Sequence, residues 1–461
     1  MRRKRTQLID SREYRRDALP GLSAWMRRIA WGCGLIFVSA ATGSWGEAEQ
    51  SPPPPPQSIN EILETLDPEL ADVSAQIDAQ EFKPAISILK QRIRSIESAA
   101  HRYDESLVVP LTLLGDAQAG DGDYDGALDS YGRAVHINRV NDGLISPKQV
   151  DIVYREAAVY KKIGNYQQTN NREEYAYHVL NKAYGAFDEK LLPGVYHLAA
   201  WYKESYNIYQ ARLLYQRAIQ ILEFNDRGGT HEAIPALAGI ASTYRLERFP
   251  PFLTATLNAR SYISSGSDDP ISINNFPAGE RALQRIVSIL RANPDEDPVL
   301  VAEAVLELAD WYLLWDRTDR AFPLYEHAYT LLAEVENVDV EGYFSEPKLL
   351  YYPFPRDPRA PPLRVRGEEQ TGFVEVGYEI GVNGHVRSLK TVASEPKGLM
   401  DFRVRKSIRF ARYRPVVLAG TPTIVERYVY RHEFSYFPRR SAATPATQSQ
   451  SVTPVIQVSD E

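Results

Sequence analysis

The residues whose types and spacing could do chemistry gather near the C-terminal end. There Tyr428, Tyr430, His432 and Phe434 alternate with Val425, Arg427, Val429 and Arg431. Alternation of this kind sends the two sets to opposite faces of a strand. The chemistry on offer is recognition. Unpaired backbone groups of an edge strand can pair with an extended segment while alternate side chains select it. Arg427, Tyr428, Val429, Tyr430 and Arg431 are therefore candidate contacts. The same alternation also arises in a half-buried strand that covers a helix with its charges in water. Just upstream, Arg403, Arg405, Lys406, Arg409 and Arg412 suit an acidic partner, the chain's own acidic repeats, or a solvated helix face.

Bond-making chemistry finds no foothold. The histidines are His101, His136, His178, His197, His231, His327, His385 and His432. None forms a pair four apart around a glutamate, and no two stand at usual metal-ligand spacing. No Gly-rich loop precedes a Lys-Ser/Thr pair, and no serine lies in a Gly-x-Ser-x-Gly elbow. Cys33 is the lone cysteine. If it is removed with a leader, no disulfide, zinc-thiolate site or cysteine nucleophile remains. The expectation is a chain without catalytic activity, metal or cofactor.

The front of the chain explains that leader. Arg2 to Arg28 is basic, and Ile29 to Ala41 is an apolar run short of the roughly 20 residues a spanning helix needs. Ser44-Trp45-Gly46 offers small residues for cleavage before Glu47. Residues 1–46 are thus expected to be an export signal, or alternatively an uncleaved inner-membrane anchor. Beyond them the Lys/Arg count is 44 against 57 Asp/Glu, so the charge falls from −7 to −13. Such a chain is ill suited to nucleic acid and is repelled by anionic lipid. Pro52 to Pro56 is a stiff spacer within residues 47–58, reaching about 15 Å at 3.1 Å per residue.

The elements that would position these residues follow a repeat. Leu114-Gly115, Ala127, Tyr131 and Ala134 return as Leu198-Ala199, Ala211, Tyr215 and Ala218, then as Leu308-Ala309, Ala321, Tyr325 and Ala328. Small residues at these offsets let two antiparallel helices approach, while the large ones fill the space between hairpins. A 42-residue step joins Leu114, Glu156, Leu198 and Ile240, with Ala85, Ala127, Thr169, Ala211 and Leu253 in the small-residue slot. Glu156, Thr169 and Leu253 depart from the pattern. The register breaks at Phe249-Pro250-Pro251, an insertion is expected around Ser264 to Pro277, and a helix resumes near Arg281. These offsets resemble the tetratricopeptide repeat, which implies an α-solenoid over residues 59–335. Inner-face residues from the first helices would then lie near Asp116, Tyr160, Trp201, Lys203, Thr243 and Trp311. Of these, Tyr160, Trp201, Lys203 and Trp311 join the candidate contacts.

Beyond residue 335 the helical period gives way to a Pro-rich connector over 336–371 and then to strands over 372–437. Val374, Val376, Tyr378 and Ile380 share one face, Asn383-Gly384 is a hairpin turn, and His385 to Ala393 is the partner strand. Gly398 to Arg412 suits a helix, Thr423 to Phe437 a last strand, and 438–461 a disordered tail. The segment resembles the C-terminal domain of the TonB energy-transducer family. Tyr352-Pro353, Gly372-Phe373-Val374, Gly384-His385-Val386, Phe410-Ala411-Arg412-Tyr413-Arg414-Pro415, Gly420-Thr421-Pro422 and Glu433-Phe434 carry the likeness. The resemblance implies a periplasmic domain that adds a strand from an outer-membrane receptor to its sheet edge. Energy transducers also keep a membrane helix and a long Pro-rich spacer, whereas this run has five prolines. The expected fold is mostly α: a tetratricopeptide-type α-solenoid followed by a small α+β domain of order β-β-α-β. The expected function is a periplasmic protein-interaction scaffold, with an anchored energy transducer as the alternative.

Overall fold

The computed structural model describes residues 68–251, 275–336, 338–362 and 366–438. The expected signal, the proline spacer, the start expected near Ile59, nearly all of the Ser264–Pro277 stretch and the tail beyond Pro438 lie outside these residues.

Among the described residues, twelve helices make six antiparallel hairpins: α1 (Pro68–Asp78) with α2 (Phe82–Ala99), α3 (Val108–Asp121) with α4 (Tyr124–Asp142), α5 (Val150–Lys162) with α6 (Tyr166–Tyr184), α7 (Leu192–Glu204) with α8 (Ile208–Phe224), α9 (Ile234–Arg248) with α10 (Phe276–Ala292), and α11 (Pro298–Leu314) with α12 (Thr318–Ala333). Helices α3, α5, α7 and α9 start 42 residues apart, so the sequence step is also the structural step. Local chemistry repeats with it. Asp123 and Asn165 accept from Gly126 N and Gln168 N at 3.0 and 3.2 Å, capping α4 and α6. The short turns inside five of the hairpins carry a left-handed residue: Gln80, Gly122, Gly164, Tyr206 and Asp316 all have positive φ. Close approach needs a missing side chain at Gly115, where a Cβ would run into the Tyr131 ring.

Two departures from the pattern are accommodated, and the third, Leu253, lies outside the described residues. Glu156, in a leucine slot, is buried and paired with Arg172 at 3.1 Å. Thr169, in a small-residue slot, turns its hydroxyl onto the Asn165 carbonyl at 3.2 Å. The break after α9 is real, but α10 is not a stray helix. It packs on α9 as the second half of the fifth hairpin, with residues 252–274 inserted between them.

After α12 a short helix α13 (Val340–Phe344) leads into strand β1 (Lys348–Tyr351), so the expected connector carries structure. Strands β2 (Gln370–Ile380), β3 (Val386–Glu395) and β7 (Val425–Tyr436) form an antiparallel sheet of order β3-β2-β7, with β2 and β3 joined through Asn383-Gly384. Helix α14 (Asp401–Arg409) packs on β2 and β3. The helix expected to run to Arg412 stops earlier. Arg412–Arg414 is strand β4, paired with β1 through Lys348↔Arg414 and Leu349↔Tyr413. Its backbone is extended because it pairs with β1, which leaves Tyr413 and Arg414 both buried. Strands β1 and β4 make a small ribbon, and β5 (Val416–Leu418) and β6 (Thr421–Thr423) pair in a separate hairpin. One core runs through the hairpins to Phe344, Leu350 and Val417. A second holds Tyr352, Phe354, Val376, Tyr378, Val404, Ile408, Tyr413, Tyr430 and Phe434.

Candidate partner-binding surfaces

The first helices carry the inner face. Helix α1 packs on α3 and α3 on α5, beyond the contacts within each hairpin. At α3, Asp116 accepts from the Tyr131 hydroxyl at 2.6 Å and pairs with Arg155 of α5 at 3.2 Å. Burial pushes its carboxyl above the ordinary range, with Arg155 opposing that shift.

The same constellation recurs at α11, with the strand ribbon standing where a seventh hairpin would be. Tyr325 donates to Asp310 at 2.8 Å, the same offsets as Tyr131 and Asp116. Arg414 of β4 then supplies the arginine, donating from Nε and Nη2 to the two Asp310 oxygens at 2.8 and 2.6 Å. Both partners are almost fully buried. Burial alone would raise the Asp310 carboxyl, but the charge and hydrogen bonds of Arg414, with Lys348 and Tyr325, hold it below the usual carboxylate range. Bidentate pairing wins here where the looser Arg155 contact does not.

The ribbon makes further contacts with the repeats. Arg245 donates to the Leu350 carbonyl at 2.6 Å, the Tyr351 hydroxyl to the Pro250 carbonyl at 3.1 Å, and Phe354 N to the Pro251 carbonyl at 2.7 Å. His385 meets Asp316 at 2.5 Å. Strand β1 thus lies against the end of α9 and reaches Glu307 of α11 through Lys348.

The expected inner-face residues prove to be mostly packing groups. Trp201 is buried and donates to Asn170 Oδ1 at 3.0 Å. Trp311 is buried against Phe276 and Trp315, with ring centroids 6.0 and 4.0 Å away. Thr243 is buried and accepts from Arg212 Nε at 3.1 Å. Tyr160 is half-buried, with the Arg172 guanidinium 5.9 Å from its ring centre. Lys203 is buried near the end of α7. The offsets placed these residues on the right helices but could not say how deeply neighbouring hairpins would cover them.

Strand β7 pairs on one side only, with β2, so its other edge lies open among the described residues. Tyr430 and Phe434 face the second core, where Tyr430 and Tyr352 rings lie 5.1 Å apart and His432 meets the Tyr352 hydroxyl at 3.2 Å. Tyr428 packs beside Tyr378 and Tyr413, and burial pushes its hydroxyl pKa upward. Val429 is half-buried, and Arg427 is exposed. Arg431 is not a free cation: it pairs with Glu375 at 3.0 Å and Glu433 at 3.4 Å over the Phe373 ring. What this strand leaves for a partner is therefore its backbone edge and Arg427, with the tyrosines committed to the core. Arg403, Arg405, Lys406 and Arg409 make no ion pair with the repeats among the described residues, and Arg412 belongs to β4. The structure places Asp310, Arg414 and Arg245 at the centre of the architecture, and sequence reasoning missed all three. The signal for the first was a lone aspartate within the apolar run of α11, since a buried charge requires a partner.

No grouping of His, Cys, Asp and Glu able to hold a metal occurs among the described residues. No helix among them is long and apolar enough to cross a membrane. No protein-family model matches the chain, and no curated protein matches it. Solved structures do. BtubC (BKLC) from P. vanneervenii aligns at 15% identity and a TM-score of 0.39 over 63% of this chain and 98% of its own. A putative kinesin light chain of Podosopora anserina with TPR-like repeats aligns at 14% and 0.37 over 51% and 98%. A signal-transduction ATPase with a tetratricopeptide repeat sensor from Pyrococcus horikoshii aligns at 16% and 0.37 over 60% and 39%. None of these scores reaches 0.5, so the helical-repeat solenoid rests on the chain's own hairpins.

Proposed function

We propose that the chain is an exported, periplasmic protein-interaction scaffold without enzymatic activity. Its inner face between α3 and α9 would hold one protein partner, while a TonB-like C-terminal domain pairs its sheet edge with an extended segment of another, such as an outer-membrane receptor. The single observation that carries this reading is the edge of β7 on which no strand pairs among the described residues, held beside a repeat array whose last inner face is already filled. A strand edge binds through main-chain hydrogen bonds, which suits a short extended segment. The strand–strand–helix–strand order and the residues that resemble the TonB domain support the finer reading. The excess of 57 Asp/Glu over 44 Lys/Arg beyond the first 46 residues supports protein partners over nucleic acid.

The alternative is an energy transducer anchored by Ile29 to Ala41. The intact mass and N-terminal residue of the protein recovered from its native envelope separate the two. A start near Glu47 supports the scaffold, and retention of Ile29 to Ala41 supports the transducer. Strand pairing has its own test. Adjacent residues in a strand point their N–H groups to opposite sides, so of Tyr428→Pro and Val429→Pro one removes an outward donor. That variant is expected to lose partner crosslinks from a photoreactive residue at position 427. If both variants keep them, the pairing edge is not β7.

A further inference from the structure

Three basic residues stand at equivalent places near the ends of successive first helices: Lys161 in α5, Lys203 in α7 and Arg245 in α9, each 42 positions from the next. One is already occupied. Arg245 holds the main-chain oxygen of Leu350, so an extended strand of this chain lies against α9 at that point. Lys161 pairs with Glu204 at 2.6 Å, both well exposed. Lys203 differs from both. Its side chain is nine-tenths buried, and no acceptor or carboxylate faces it among the described residues. Burial alone pushes its ammonium below the ordinary lysine range. A desolvated ammonium without a counter-charge is costly, and an arriving carboxylate removes that cost.

The neighbouring surface leaves room for a chain. Where α3 and α11 carry Asp116 and Asp310, the equivalent positions of α5 and α7 are Ala158 and Ala200, both exposed. Small side chains there permit a backbone to approach two first helices, as β1 approaches α9. Tyr154 and Tyr196 flank this strip, Tyr154 stacked on His197 at 3.7 Å and Tyr196 bonded to the Glu232 carbonyl at 3.5 Å.

We infer that Lys203 receives a carboxylate from an extended acidic segment of a protein partner, laid along α7 and α5 where β1 leaves the inner face free. This rests on the inner-face reading proposed above and supplies its specificity. The test places a photoreactive residue at Ala158 of the full chain in its native envelope, with Lys203 intact, as Lys203→Met, and as Lys203→Arg. The intact chain is expected to give an adduct whose crosslinked peptide contains Asp or Glu. Lys203→Met should lower the yield at least about tenfold, as when one member of a buried charge pair is removed, while Lys203→Arg retains it. An unchanged yield in a folded Lys203→Met variant overturns the Lys203 assignment and leaves the inner face as a binding surface. No adduct from Ala158 or Ala200 in the intact chain overturns both. If acetate at matched carboxylate concentration abolishes the adduct, the site takes a free small anion and the peptide assignment falls.

Discussion

Two aspartates at the same offset of different hairpins behave in opposite ways. Asp116 is partly open to water, meets Arg155 loosely and has Asp151 nearby, so burial wins and its carboxyl titrates high. Asp310 is closed off and gripped through both oxygens, so pairing wins and it titrates low. Its contribution to stability is therefore complete above the unfolded aspartate value of about 3.9 and is lost as pH falls through the lower folded value. Asp310→Ala would leave Arg414 buried without a counter-charge, and a loss of about 3–5 kcal/mol is expected in urea unfolding at neutral pH. The difference between variant and parent should shrink as pH drops below the aspartate range. Lys203 gives the reverse sign. Its folded pKa is depressed, so the charged form costs stability at neutral pH, and the cost fades as pH rises through the folded value toward about 10.4. Lys203→Met should thus raise the unfolding midpoint at pH 7, with the gain disappearing in alkaline solution.

At the scale of elements, the hairpins were legible because their determinants are local and repeat. Gly115 against Tyr131, a capping Asp123 or Asn165 and a left-handed turn residue recur at fixed offsets. Gly115→Leu should collide with the Tyr131 ring and cost about 1–3 kcal/mol, measurable as a lowered unfolding midpoint. The sheet was legible from alternation and from Asn383-Gly384. The ribbon was not. Strands β1 and β4 are three or four residues long and lie more than 60 positions apart, so no period betrays them. The motif Phe410 to Pro415 was visible, but Arg414 finds Asp310 only in three dimensions. The burial of Trp201 and Trp311 was illegible for a similar reason: an offset assigns a residue to a helix, while its exposure depends on the next hairpin and on residues such as Asn170 that meet it.

Across the whole molecule, the core of the repeats reaches Leu350 and Val417, while the terminal sheet and α14 close on a second core of their own. A repeat array is held together by nearest-neighbour interfaces, so damage at one end need not reach the other. Hydrogen exchange should show this. Asp310→Ala is expected to lower protection in α11, α12 and β4 while α3 to α6 keep theirs; uniform loss along the array would show that the hairpins unfold as one unit. The joint at Arg414 has another consequence. The ribbon docks by reproducing the arginine contact that one hairpin offers the one before it, so α11 needs nothing from the number of hairpins that precede it. Inserting a further 42-residue unit between α3 and α9 would leave the joint's chemistry untouched and set it farther from α1. The chain can therefore be lengthened like a ruler in whole divisions, with the distance between its first hairpin and the joint as the quantity that varies.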